Sequence, residues 1–150
     1  MLSVNKTWIA NTFFALTFFS FGTAMMDYFL VYPSRVIVGT AEFVQYHTLL
    51  EERIIPISVL PFLLMTLLNV WLIFVHPPGL PKSLIWLSLV LLVLDWISTA
   101  FIQIPMNVEL GKGKNTELIH KVMQTNQVRV VLESAQALVT YLLMQKHNRI

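Results

Sequence analysis

Leu94-Asp95-Trp96-Ile97-Ser98-Thr99-Ala100-Phe101-Ile102-Gln103-Ile104-Pro105-Met106-Asn107 closes an apolar run long enough to cross a bilayer, yet it carries what such a run normally excludes. Asp95, Thr99 and Gln103 recur every four residues, so on a helix they share one face. A carboxylate at the centre of a span costs about 2.5–3.5 kcal/mol on insertion scales. Asp95 must therefore face protein, water or a ligand rather than lipid. Pro105 predicts a helix end, because proline lacks the backbone donor and disfavours helix in the residue before it.

Composition makes a membrane the natural setting for that run. Hydrophobic residues are 56% of the 150 and charged residues only 12%, where a soluble domain carries about 25% charged. The mean hydropathy is +0.68. A net charge of +2, with no basic run, gives nothing that could track phosphates and excludes nucleic acid as a partner. The absence of cysteine removes disulfides, thiolate metal sites and thiol redox chemistry.

The apolar runs predict an all-α, integral membrane four-helix bundle, one domain over the whole chain, with spans near residues 8–31, 54–75, 82–104 and 128–144. Lys6 and Gly22-Thr23-Ala24 outline a cleavable leader, but the apolar run continues through Tyr28-Phe29-Leu30, which suits a retained span. Asn5-Lys6-Thr7 fits a glycosylation pattern too short to carry weight. Pro33 is read as the end of the first span. Residues 39–53 mix apolar and charged positions and read as an amphipathic segment before helix 2, either interfacial or the wet start of that helix. His76-Pro77-Pro78-Gly79-Leu80-Pro81 is a stiff turn, and Asn115 or Thr116 caps a helix running into the last span. Four spans put both termini on one side. Lys6 ahead of the first span leans that side towards the cytoplasm, although Lys and Arg are nearly balanced, with Lys82, Lys146 and Arg149 opposed by Arg35, Arg53, Lys112, Lys114 and Lys121.

Alternating topology gathers the polar ends of the spans in one leaflet. The first span contributes Thr23 and Asp27, the approach to the second His47, Glu51 and Arg53, and the third Asp95, Thr99, Gln103 and Asn107. The fourth contributes Asn126, Arg129, Glu133, Gln136 and Thr140, whose steps of three and four describe one helical face. Asp95, Glu133 and Arg129 are the candidate catalytic residues. A desolvated carboxyl can act as a base and Arg129 can steady an oxyanion. His47, Arg53, Thr99, Gln103, Asn107 and Asn126 are candidate ligand-binding residues. No metal site is expected: His47 and Glu51, four apart, are the nearest to one, but the Glu-x-x-His spacing of di-iron bundles is absent and no histidine lies mid-span to ligate haem. The cofactor is left open. Against all of this stands a purely structural reading, in which Arg129 pairs with Glu133 and the amides and hydroxyls are interhelical glue.

The layout resembles the anthrone-oxygenase-like family of small four-span membrane proteins. The matching residues are Thr99 with Gln103-Ile104-Pro105-Met106-Asn107, then Thr125-Asn126 with Arg129 opening the last span, and Tyr46-His47 with Arg53 before the second. The chain departs from the family at Gln127, where an aromatic residue is usual. The resemblance implies an oxygenase-type activity on a polycyclic aromatic, known for some members only.

Two functions follow as expectations. One is an intramembrane pocket, open to one face, for a hydrophobic, partly polar small molecule such as a phenol, quinone or lipid-like compound. The other is a non-enzymatic subunit or assembly protein whose polar face meets a second copy or another membrane protein. Transport ranks third, since no inverted repeat is visible.

Overall fold

The structure, a computed structural model, describes residues 6–147; Asn5 of the glycosylation pattern and Arg149 of the basic tail lie outside the described residues. The described elements are all helical and form four long rods, α1 (Thr7–Ile37), α2 (Phe43–Val75), α3 (Lys82–Leu110) and α4 (Thr116–His147). The first three are long and apolar enough to cross a membrane. At ~1.5 Å per residue, their 29 to 33 residues span more than the ~30 Å of a hydrocarbon core. Each of these three is thus longer than a crossing requires.

The fourth rod is less apolar on average because it is built inside out. Asn126, Glu133, Gln136 and Thr140 are buried along one face, while Val128, Val131, Leu138, Tyr141 and Leu142 are exposed on the other. The Asn115 side chain accepts the Leu118 N–H at 3.0 Å and starts this rod, with Glu117 in its first turn and Lys146 in its last, as the helix dipole favours.

Three of the rods contain a widened, π-helical turn: Asp27–Val31 in α1, Ile55–Val59 in α2 and Thr99–Gln103 in α3. Tyr32 donates its N–H to the Asp27 carbonyl, Leu60 to Ile55 and Ile104 to Thr99, each a step of five residues. In each case the donor stands immediately before a proline, namely Pro33, Pro61 or Pro105. A proline ring collides with the carbonyl four residues earlier and cannot donate to it. One extra residue in the preceding turn moves that carbonyl aside, and the helix goes on. This corrects two expectations. Pro33 does not end α1, which continues through Ile37, and Pro105 does not end α3, which continues to Leu110. Of the two readings of residues 39–53, the start of helix 2 is the one that holds, since the helix from Phe43 runs straight on as α2.

The rods pack as a square. α1 lies against α2 and α4, and α3 against the same two. The lower core, towards the α2–α3 turn, joins Phe13, Met65, Leu72, Ile85, Leu92 and Leu143. A second, smaller core at the opposite end joins Tyr32, Phe43, Leu110, Ile119 and Val122. The loops there are tied down by Lys114, whose ammonium donates to the Val36 and Val38 carbonyls at 2.9 and 2.6 Å and so caps the C-terminal end of α1. Between the two cores lies a layer of charge. Outside, large apolar side chains are exposed along all four rods, among them Phe29, Leu67, Phe74 and Phe101. Trp8, Trp71 and Trp86 are exposed near the turn end, the spacing of an interfacial belt.

Candidate functional site

The charged layer is centred on Arg129. Its Nε lies 3.3 Å from Asp95 Oδ1, and its guanidinium also faces the Tyr32 hydroxyl. Asp95 is 2% exposed and Glu133 3%, so each carboxyl depends on protein partners for its solvation. The two carboxyl groups lie within hydrogen-bonding reach of one another. Asp95 Oδ2 and Glu133 Oε2 are buried and have no donor. Two carboxylates cannot donate to each other, so a hydrogen bond between them requires a shared proton. With it, the trio of Asp95, Glu133 and Arg129 is electrically neutral. On α1, Asp27 faces Arg129 and, further off, Arg35.

Beside this trio is a cavity of about 80 Å³. Its polar wall is Ser20, Thr23 and Asp27 from α1, Ser58 from α2, Thr99 from α3, and Arg129 and Glu133 from α4. Ile54, Val59, Phe62 and Trp96 complete it, and exposed Val59 marks its outer edge on α2. The widened turns explain why the space exists. Asp27 opens the first, Ser58 and Val59 close the second, and Thr99 opens the third. Each extra residue throws the side-chain ridges of its rod out of step with the neighbouring rods, and the misfit collects at one level.

A second polar cluster sits nearer the loops. Arg35 donates from Nη1 to Asn107 Oδ1 at 2.7 Å, and its guanidinium lies 4.9 Å from the Tyr32 ring centroid. Asn107 donates to the Gln103 carbonyl at 2.8 Å. His47 Nε2 faces two acceptors, the Asn107 carbonyl at 2.9 Å and Glu51 Oε1 at 3.2 Å, so that nitrogen carries the hydrogen. Gln103 reaches across to Thr125 Oγ1 at 3.2 Å.

A third network, deep in the lower core, ties all four rods together. Asn69 and Gln136 both approach Ser88 Oγ, at 2.6 and 2.7 Å, and Thr140 links Gln136 to Thr17 at 3.4 Å on each side. Ser88 has one hydrogen to give. Turning either amide over lets Ser88 accept from one and donate to the other, which also satisfies a buried amide oxygen.

Of the residues singled out from the sequence, Thr99, Arg129 and Glu133 line the cavity, and Asp95 stands behind them on Arg129. His47, Gln103 and Asn107 belong to the loop-side cluster instead, and Asn126 is buried without lining the cavity. Arg53 is a correction. It is exposed on α2 and touches neither cluster, because it lies two residues, about 200° of helix, beyond Glu51. His47 and Glu51 do meet, but among the described residues no third His, Asp or Glu joins them. Arg129 pairs with Asp95 on another rod, where its spacing to Glu133 suggested a pairing within α4.

The sequence reading missed Arg35 and Tyr32. Tyr32 lies just past the predicted end of the first span and Arg35 lies beyond Pro33, where no helix was expected. Their four- and seven-residue steps from Tyr28 are the signal that a continuing helix would have given. Comparison with protein-family models, with curated proteins and with solved structures gives no match.

Proposed function

We propose that the four rods are a membrane-embedded bundle whose charged layer forms a pocket for the polar head of an apolar small molecule. The molecule enters from the lipid between α1 and α2. One observation carries this reading. Ser20 Oγ is buried with no hydrogen-bond partner among the described residues, and it lines the same cavity as Glu133, whose buried carboxyl has no donor there but the proton it shares with Asp95. A purely structural layer would close over such groups, since an unsatisfied buried polar atom costs about 1–3 kcal/mol. The apolar exterior supports the membrane setting, and the length of the rods supports a short domain beyond one face.

Size limits the occupant. A cavity of about 150 Å³ is needed to enclose benzene, and this one is about 80 Å³. A head group fits inside and the rest must lie in the gap towards Val59. Membership of the anthrone-oxygenase-like family is the more specific form of the proposal. In that case most of a polycyclic substrate would rest outside, presenting one hydroxyl or carbonyl to Arg129 and Glu133. Glu133, with Asp95, would move the proton and Arg129 would steady the oxyanion.

A non-enzymatic subunit is the second reading, favoured by the Asn69–Ser88–Gln136–Thr140–Thr17 network, which cross-links the rods and needs no ligand. Mass spectrometry of the protein purified in a mild detergent separates the two. The pocket predicts a co-purified small molecule near one per chain. Ser58→Phe, which fills the cavity from a half-buried position on α2, should lose it and still melt cooperatively, at the temperature of the native protein stripped of the molecule. No bound molecule in either protein, with a stoichiometric protein partner instead, would establish the subunit reading.

A further inference from the structure

The geometry points to a cationic occupant: we infer that the cavity receives an organic ammonium head, the charged end of an amphiphilic amine whose tail leaves between α1 and α2. This rests on the pocket reading and adds the charge of what fills it.

The first ground is the chemistry of the wall. Ser20 Oγ has no hydrogen-bond partner among the described residues, and the Glu133 carboxyl, 3% exposed, has no donor but the proton it shares with Asp95. The carboxyl of Asp27 lies on the same wall. The cationic group there, Arg129, is already committed to Asp95 and Tyr32. What the carboxyl of Glu133 lacks is a donor that it need not share, and an ammonium brings several on one atom, with Ser20 Oγ as a further acceptor. The second ground is charge. The groups that face this level are Asp27, Tyr32 and Arg35 from α1, Asp95 from α3, and Arg129 and Glu133 from α4. α2 contributes no charged side chain to the cavity, and its nearest, Glu51, is exposed beside His47. Three carboxyl groups thus meet two guanidinium groups, leaving a deficit of one positive charge in a water-poor layer.

The third ground is the remaining wall. Phe62 and Trp96 line it with ring centroids 5.1 Å apart and planes at 60°. Trp96 is held in place by its indole N–H, which donates to Thr66 Oγ1 at 3.0 Å. Carboxylates together with aromatic rings are the chemistry that recognises alkylammonium ions, through ion pairing on one side and the ring quadrupole on the other. A hydrated alkali ion has no use for the aromatic wall, and a carboxylate head would meet Glu133 and Asp27 with like charge.

A consequence follows from the charge count. When the cavity is empty, the missing charge is the proton between Asp95 and Glu133. When the ammonium enters, that proton leaves to solvent, so uptake releases about one proton per amine and affinity weakens about tenfold per pH unit as acid restores the competing proton.

The test uses the whole chain in a non-ionic detergent, titrated calorimetrically with n-hexylamine, 1-hexanol, hexanoate and sodium chloride in buffers of different ionisation heat. Hexylamine stays charged from pH 5 to 8, as a lysine amine does with its pKa of about 10.4. The expected result is hexylamine binding at least about tenfold tighter than hexanol or hexanoate, with one proton released. Glu133→Gln should lose that preference and the proton release. Asp27→Asn, at a half-buried position, repeats the test should the first variant fail to fold, and proton release by the unmodified protein needs no variant at all. Equal or tighter binding of hexanol or hexanoate would overturn the ammonium assignment and leave the pocket standing. Displacement of hexylamine by millimolar sodium would overturn it in favour of an alkali-ion site. Failure of every probe to bind would remove the pocket reading and this inference together.

Discussion

Asp95, Glu133 and Arg129 are unequal partners, and substitutions should separate them. Glu133→Gln replaces a carboxyl that shares a proton by an amide that can still donate to Asp95, so stability should stay within about 1 kcal/mol. Asp95→Ala leaves Arg129 without its ion-pair partner in a buried layer and should lose about 3–5 kcal/mol. Equilibrium unfolding in mixed detergent measures both, and equal losses would show that the shared proton is not there. Asn107→Ala removes a charge-assisted bond from Arg35 and the bond to Gln103, for an expected loss of about 2–4 kcal/mol in the same assay. At this scale much was legible. The steps of three and four through Asn126, Arg129, Glu133, Gln136 and Thr140 describe a face whose members are buried or nearly so. Asp95 had to face inward because lipid offers a carboxylate nothing. What could not be read was the choice of partner. Arg129 lies one turn from Glu133 in sequence, yet its shortest ion pair is to Asp95 across the interface, and no spacing rule ranks a neighbour on the same rod against one on the next.

The helices raise the question of why prolines are so well tolerated. Pro105→Ala would gain about 3 kcal/mol of intrinsic helix propensity. Reverting the widened turn to a regular one would rotate everything after it by about 100°. That would pull Asn107 from Arg35 and His47, and expose Leu110, whose burial alone is worth about 1.5–3 kcal/mol. The turn should therefore keep its shape in Pro105→Ala, and the variant should melt no lower than the native protein. Leu110→Ala should melt lower, by the equivalent of about 2–5 kcal/mol. A marked drop for Pro105→Ala would mean that the proline itself, and not the packing beyond it, holds the wide turn open. These turns were the least legible part of the fold. A proline in an apolar run marks either a stop or a detour, and the distinction depends on whether the residues beyond it have something to pack against. Val36 beyond Pro33 and Leu110 beyond Pro105 do, in the smaller core near the loops, and that core is assembled from all four rods.

For the whole chain, the alternation of four rods sets a topology that labelling can read. Thr40 and Lys112 are exposed in the two loops at one end, and Lys146 is exposed near the other. Single cysteines at these positions are unambiguous because the chain has none of its own. Thr40→Cys and Lys112→Cys should react from one side of the membrane and Lys146→Cys from the opposite side. Reaction of all three from one side would rule out four crossings. The number of rods and the side on which polarity gathers were legible from hydropathy alone. The division into two apolar cores with charge between them was not, because it depends on helices being longer than their spans. The widened turns have one more consequence, and it concerns descent rather than mechanics. Each is in effect a single-residue insertion, absorbed without moving the residues beyond it. Deleting exposed Ala100 would remove such an insertion and leave Asn107 and Leu110 in phase. Elsewhere in a rod, the loss of one residue would turn the buried face outward. When homologous chains are aligned with this one, their gaps within helices should fall at these three sites and at few others.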